Sequence, residues 1–418
     1  MIRPTELTSE EFAEIARWIP GPEPSVRRSK TPGGRFIPVC ETLLDGNELR
    51  YLTECVTSNW ISSAGPFVKR FESAFAKAAG CAHGVACSSG TAALHLALAT
   101  LGIGPGDEVI VPAFTMVATA NVARYLDAKP VLVDAEPVTG NMDPSRIEEK
   151  VGPRTRAIVV VHTYGHPADM DPILAIARRR GLAVVEDAAE AHGALYRGRP
   201  VGSLGDLACF SFYGNKIVST GEGGMVVTED DATARVARRL RDHAFSEERH
   251  FWHQYLGYNY RMTNLQAAVG LAQTERLAAF VEKRRANALR YTARLKDVPG
   301  LTLPAELPWA RSVFWMYGIR VGDSFGPSRD ELRGRLADAG IETRSFFIPI
   351  HLQPIYFREH RGESYPVAEE LCRTGLYLPS GPGLSLSDLD FVAAEIERAG
   401  MRVAAKGGRR RKPSLGAS

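Results

Sequence analysis

Four places in the sequence combine residue types that could do chemistry. Lys216 stands in "SFYGNKIVSTGEGG" (Ser211–Gly224), where the apolar run Ala208–Tyr213 meets a glycine-rich turn. Ten of the 51 basic residues are lysine, leaving 51 − 10 = 41 arginines, so arginine is the ordinary cation of this chain. A lysine so placed is either a solvated loop residue or one needed for its amine, because a guanidinium stays protonated and is no nucleophile. Asp187 closes an apolar run in "VVEDAAEAHGA". Ser88, Ser89, Gly90 and Thr91 form a turn directly before a nearly all-apolar helical stretch. Such a helix start offers unpaired N–H groups and partial positive charge, which suits a phosphate. Ser211 shares the strand end that leads to Lys216.

Taken singly, each has a plainer role: a loop lysine, a satisfied buried carboxylate, a helix cap. Together they are the three things pyridoxal phosphate needs. The amine binds its aldehyde carbon. The carboxylate keeps the pyridinium nitrogen protonated. The turn holds the phosphate, and the ring takes up the electrons left when a Cα–H bond breaks. Competing readings lack their motifs. "GEGG" (221–224) has no following Lys-Ser/Thr and opens no helix, so it is not a Walker loop. No G-x-G-x-x-G follows the first strand, which argues against a nicotinamide dehydrogenase.

These residues must be held by the elements around them, and the pattern supplies a frame. After peripheral residues 1–35, with "TSEEFAEIARWI" as a short capped helix and a Pro/Ser/Arg/Gly-rich linker, two helical patterns flank "TSNWISSAGP". Apolar strands are then expected at 108–112, 129–135, 156–165, 182–189, 206–214 and 223–230, alternating with helices that include "MVATANVARYL", "PSRIEEKV" and "DMDPILAIARRRG". Short continuous apolar runs between helices predict an α/β fold with a mostly parallel sheet covered on both faces. Open sheets of this kind bind ligands at the carboxyl ends of their strands, where Asp187, Ser211 and Lys216 fall. Beyond Asn264 a long helical stretch leads away to a smaller α+β unit, with strands about 314–321 and 341–347 and helices about 328–339 and 386–399. The expected organisation is an N-terminal extension (1–35), a large α/β domain (36–264), a long helix with a small C-terminal domain (265–402), and a disordered basic tail (403–418).

The net charge is 51 − 48 = +3, and the tail alone holds five basic and no acidic residues. The body is therefore slightly acidic and no nucleic-acid partner is expected. No basic start leads into an apolar segment and no apolar run is long enough to span a bilayer, so neither a secretory leader nor membrane insertion is expected. Six cysteines without a Cys-x-x-Cys pair fit a reducing cytoplasm and no metal site.

The order and spelling of "SSGTAALHLAL", "GPGDEVIVP", "VLVDAEPVTGNMDP", "HTYGHPADMDPI", "VVEDAAEAHGA", "GSLGDLACFSFYGNK", "TGEGGM" and "YNYRMTNLQAA" resemble the DegT/DnrJ/EryC1/StrS sugar aminotransferases, from about Phe36 to Gly400. The forms "EDAAEAHGA", "FYGNK" and "YNYRMTNLQAAVGLAQ" are most similar to the branch acting at C4 of nucleotide-linked sugars. The resemblance implies a fold-type I pyridoxal-phosphate transferase with a mostly parallel seven-stranded sheet. It implies that Lys216 is the Schiff-base lysine and proton shuttle, and that Asp187 is the pyridinium partner. Ser89, Gly90, Thr91 and Ser211 then match phosphate ligands, and Asn259 matches an asparagine reaching the phosphate from the other subunit of a homodimer. Glu190 matches a Gln, Glu or His position near the cofactor's 3-hydroxyl. Trp60 and Ser62 in "NWISSAGP", with His351, match the sugar-nucleotide entrance. Met116 stands where many relatives place an aromatic ring over the cofactor, and a thioether also packs on a ring face. A histidine in place of the lysine marks a dehydrating branch, which Lys216 argues against.

The expected reaction moves the amino group of L-glutamate to the keto carbon of a nucleotide-linked keto-6-deoxyhexose, such as GDP-4-keto-6-deoxymannose. The alternatives are a dTDP-keto-sugar 4- or 3-aminotransferase, an enzyme for another keto sugar or cyclitol, and a non-catalytic regulator on the same fold.

Overall fold

The computed structural model describes residues 5–25, 34–246, 248, 249 and 251–407. The helices are α1 (Ser9–Ile15), α2 (Glu48–Thr57), α3 (Pro66–Ala78), α4 (Gly90–Thr100), α5 (Ala118–Tyr125), α6 (Met170–Arg180), α7 (Asp231–Arg241), α8 (Asn264–Thr274), α9 (Leu277–Leu295), α10 (Arg329–Asp338), α11 (Pro354–Phe357), α12 (Pro366–Thr374) and α13 (Leu386–Gly407). The strands of the main sheet are β1 (His83–Cys87), β2 (Glu108–Pro112), β3 (Lys129–Val133), β4 (Thr155–Val161), β5 (Ala183–Asp187), β8 (Leu207–Ser211) and β9 (Gly224–Thr228), with the short pair β6 (Leu195–Tyr196) and β7 (Arg199–Pro200) between β5 and β8. The C-terminal unit holds β10 (Leu301–Thr302), β11 (Ala310–Arg311), β12 (Tyr317–Val321), β13 (Arg344–Ser345) and β14 (Gly375–Leu378).

The large sheet has seven strands in the order β1-β9-β8-β5-β4-β2-β3. Only β9 runs against the rest, pairing antiparallel with both β1 and β8. Its strands are buried on both faces, which is why they read as unbroken apolar runs rather than alternations. On one face lies α4, whose residues Ala92 to Leu98 are all buried. A helix apolar all round must be enclosed, and this one is packed by the sheet, α5 and α7. The parallel arrangement puts the carboxyl ends of β1, β2, β4, β5 and β8 on one edge, together with the start of β9.

Several expectations change in detail. "PSRIEEKV" folds as two 3-10 turns, Pro144–Arg146 and Glu148–Lys150, rather than one helix. The strand expected over 341–347 shortens to Arg344–Ser345. The helical stretch from Asn264 divides at Glu275–Arg276, and its first half, α8, packs on α2 and α3 of the large domain. The C-terminal helix runs on to Gly407, five residues into the stretch expected to be a disordered tail. The rest of that tail and residues 26–33 of the linker lie outside the described residues.

Candidate active site

At the shared strand edge, residues from five segments line one cavity of about 430 Å³. Gly90 and Thr91 contribute the start of α4, Thr115, Met116, Ala118 and Thr119 the turn after β2 and the start of α5, Asp187 and Glu190 the end of β5, and Ser211 and Lys216 the exit from β8. The fifth segment is the C-terminal unit, through Trp315, Phe347 and Tyr377.

The turn before α4 is tight against the sheet. A Cβ on Gly90 would stand 2.6 Å from that of Ser211, and one on Gly224 would meet the Ser89 carbonyl at 2.2 Å. Glycine is required at both places for this close approach. Ser89 caps the helix, its hydroxyl accepting from the Ala92 N–H at 3.1 Å. The N–H groups of Gly90 and Thr91 therefore stand at the first helical turn, where no intrahelical acceptor exists. A helix start of this kind is suited to an anion.

Asp187 is buried, and alternation along β5 turns it to the opposite side from Glu186. Its carboxylate accepts from the Thr119 hydroxyl at 2.8 Å and the Ala189 N–H at 3.2 Å. Burial pushes its pKa up, against the pull of those bonds and of the Lys216 charge. A positive ring nitrogen is the partner such a carboxylate suits. Glu186 anchors the same strand from behind. It pairs with His162 at 3.0 Å and accepts the Gly202, Leu204 and Gly205 N–H groups. Burial would raise it, but these bonds hold it below the ordinary carboxylate range.

The Lys216 amine lies 3.7 Å from Glu190 Oε1 and 3.7 Å from the centre of the Trp315 ring. The Trp315 indole N–H donates to the Asn215 carbonyl at 2.8 Å, which fixes the loop beside the lysine. Burial lowers the lysine's pKa and pushes Glu190 up to about 7, while their mutual attraction works the other way. The second Glu190 oxygen accepts the Tyr164 N–H at 2.8 Å, and Tyr164 adopts a left-handed φ of 53° to present it. Enclosure thus favours the uncharged amine, and Glu190 opposes it to the extent that its carboxyl is ionised.

Met116 lines the cavity, half exposed, with its sulfur accepting from the Ala118 N–H at 3.1 Å. Other expected residues lie apart from this cavity. Asn259 is exposed and bridges to Asp242. Trp60 and Ser62 sit in an exposed segment whose backbone is tied to Asn264 by bonds of 2.6 and 2.9 Å. His351 is buried and turned inward, 3.1 Å from Glu369 with its ring tilted against that of Tyr365, and it does not line the cavity. Thr119 and Trp315 were not singled out from the sequence. Trp315 had a faint signal as one of only five tryptophans, but Thr119 is indistinguishable from any other helical threonine.

A helix-start anion cradle, a buried carboxylate and an enclosed amine on one sheet edge define the class: a fold-type I pyridoxal-phosphate enzyme. Comparison with known proteins gives the family. The DegT/DnrJ/EryC1/StrS aminotransferase family matches residues 43–397. The chain is 47% identical to the GDP-perosamine synthase of Caulobacter vibrioides, over 87% of this chain and 98% of that protein. It is 41% identical to the GDP-perosamine synthase of Escherichia coli O157:H7, with the same coverage of each. Among solved structures it is similar to S. venezuelae DesV in complex with a ketimine intermediate, with TM-score 0.80 and 38% identity over 85% of this chain and 94% of that one. The chain belongs to the DegT/DnrJ/EryC1/StrS aminotransferase family. It is a pyridoxal-phosphate-dependent aminotransferase.

Proposed function

We propose that the chain moves the amino group of L-glutamate to C4 of a GDP-linked 4-keto-6-deoxyhexose, forming a GDP-linked 4-amino sugar such as GDP-perosamine. The observation that carries the reading is the enclosure of Lys216 with Asp187 and the anion cradle in one cavity. The two GDP-perosamine synthases at 47% and 41% identity support the choice of sugar and ketone. A regulator that had kept only the fold would have no use for a largely enclosed lysine whose pKa its surroundings lower.

When bound, pyridoxal phosphate supplies an electron sink that stabilises the carbanion left by C–H cleavage. The chain's own residues supply the rest. Gly90, Thr91 and Ser211 bind the phosphate, with Ser89 shaping the turn. Asp187 holds a proton on the ring nitrogen, and Thr119 orients Asp187. Lys216 holds the cofactor, then takes a proton from one carbon and returns it to another. Burial favours that cycle because it brings the amine toward neutrality. Glu190, 3.7 Å away, would stabilise the lysine while it carries the proton. Trp315 and Phe347 exclude water from the reacting face.

The same reading assigns Asn259, Trp60 and Ser62, which lie outside this chain's own cavity, to a site shared across a homodimer. His351, paired with Glu369 in the interior, is given no place in that site. Among the described residues no helix is long and apolar enough to cross a membrane. The test is to load the enzyme with amino group from L-glutamate and offer a panel of GDP- and dTDP-linked 4-keto and 3-keto sugars. The expected product, identified by mass and NMR, is a GDP-linked 4-amino sugar. Turnover confined to a dTDP sugar or to a 3-ketone contradicts the substrate assignment.

A further inference from the structure

The N-terminal extension lies outside the family match, which begins at residue 43. Its residues 5–25 are nevertheless packed into the fold. Thr8 and Glu11 close a capping box at the start of α1, with bonds of 2.8 and 3.2 Å. Ile15, at the far end of α1, is buried against Leu352 and Phe357, with Leu7, Trp18, Ile19 and Ile348 packed around them. The Glu11 carboxylate also takes a two-pronged bond from Arg358, at 2.9 and 3.1 Å, and Glu14 pairs with Arg361. Further along, the Gly21 N–H donates to Asp330 at 3.0 Å and Glu23 pairs with Arg333, an arginine otherwise buried in α10. The segment is therefore tied at both ends to the C-terminal unit.

What it covers leads to the active site. α11 and its flanks, beneath the extension, are bonded to α5: Tyr356 donates to Asn121 at 2.8 Å and Glu359 pairs with Arg124. α5 carries Thr119, whose hydroxyl donates to Asp187. The stretch before α11 is also fastened to the sheet edge, the Ile350 N–H donating to the Ala113 carbonyl at 2.8 Å. Phe347 on that stretch lines the cavity, and its N–H reaches the Tyr164 hydroxyl at 3.3 Å.

We propose that Leu7–Glu23 is a strap that acts in cis as a positioning element, pressing α11 onto α5 and so holding the Thr119 hydroxyl against Asp187. No residue of the strap lines the cavity. A chain of contacts transmits position only if loosening one end is felt at the other, and that is measurable. The strap itself is independent of the cofactor reading; only its consequence at Asp187 rests on it.

The experiment uses the full-length holoenzyme with Ile15→Asp, and Ile15→Val as the conservative control. Hydrogen exchange is followed in peptides covering 346–361 and 113–125, with β1 and β9 as reference. Ile15→Asp is expected to speed exchange about tenfold in both peptides and leave the reference strands unchanged. The pH at which the bound cofactor's visible band changes is expected to move, because a loosened Asp187 holds the ring proton less well. Ile15→Val should do neither. Wild-type exchange at 346–361 and 113–125 despite a freed α1 would overturn the proposal, as would a uniform rise across the molecule. A changed exchange pattern with an unmoved band would confine the strap to α11 and overturn its link to Asp187. If Ile15→Asp does not fold, Arg358→Gln removes the fork to Glu11 from a largely exposed side chain and should give the same pattern in smaller size. Absence of bound cofactor in the wild type would refute the cofactor reading alone, and the exchange result would still decide whether the strap braces α11.

Discussion

Replacing Asp187 by asparagine isolates the charge that the site is built to provide. The side chain keeps its size and lies in the same buried place at the end of β5. It loses one acceptor, however, and two donors now compete for one oxygen: the Thr119 hydroxyl at 2.8 Å and the Ala189 N–H at 3.2 Å. Thr119 has an alternative partner in Thr115, whose hydroxyl lies at 3.2 Å, so the local fold tolerates the change. What cannot be replaced is the negative charge that the proposed reading sets opposite the ring nitrogen. A unit charge pair near contact, at an effective dielectric of about 20, is worth roughly 4 kcal/mol. Removing one charge-assisted contact of this kind costs about 2–4 kcal/mol, or roughly 30- to 1,000-fold in rate. Burial raises the Asp187 pKa against the bonds from Thr119 and Ala189 and the Lys216 charge; a ring cation would add to that opposing pull, and asparagine offers it no charge. The loss should appear in both half-reactions, because both break a C–H bond next to the same ring. Stopped-flow measurement of each, at saturating cofactor, is the assay. Half-reactions within about threefold of wild type would refute the argument and make Asp187 a structural carboxylate.

Three further outcomes are expected. Glu190→Gln removes a carboxyl whose pKa burial raises from 4.5 to about 7. A folded-state pKa above the unfolded one gives stability that is complete below the unfolded value and lost as pH rises through the folded one. The wild-type apoprotein should therefore lose stability relative to Glu190→Gln between pH 4.5 and about 7 in denaturant titrations, and parallel curves would contradict the assigned proton. Mixing inactive Lys216→Ala chains with inactive Asn259→Asp chains should restore part of the activity, since one site of a mixed dimer receives both intact residues; no recovery after demonstrated subunit exchange counts against a shared site. Thr119→Val, which keeps the shape of the side chain and removes its donor, should lower kcat by about tenfold with little change in KM, for one buried bond to a charged group; an equal change in both constants would point to lost packing instead.

Much of the frame was legible because fully buried strands announce themselves. β2, β3, β4 and β5 fall on the apolar runs that mark them, and the turn before α4 reads as a helix start from "SSGT" alone. β1 was missed because "HGVAC" holds a histidine and a glycine that break an already short run. The two 3-10 turns at 144–150 have helical composition but are only three residues each, with Pro144 opening the first. In the site, Lys216, Asp187 and the cradle were visible because each is an unusual residue at a strand or helix end. Thr119, Trp315 and the strap were not. Their roles arise from contacts between segments far apart in the chain, such as Ile15 with Phe357 and Tyr356 with Asn121, and no local period encodes those. His351 shows the converse: a histidine matched to an entrance is held inside by Glu369.

The central claim is that Lys216 is the amine that carries the cofactor. Borohydride reduction of the purified holoenzyme, followed by peptide mapping, tests it directly. The account predicts a yellow protein whose colour is lost on reduction, with the cofactor fixed to the one peptide containing Lys216, and no such label on a Lys216→Arg variant, whose guanidinium cannot take the amine's place. Label recovered on any of the other nine lysines, or on none, would contradict it.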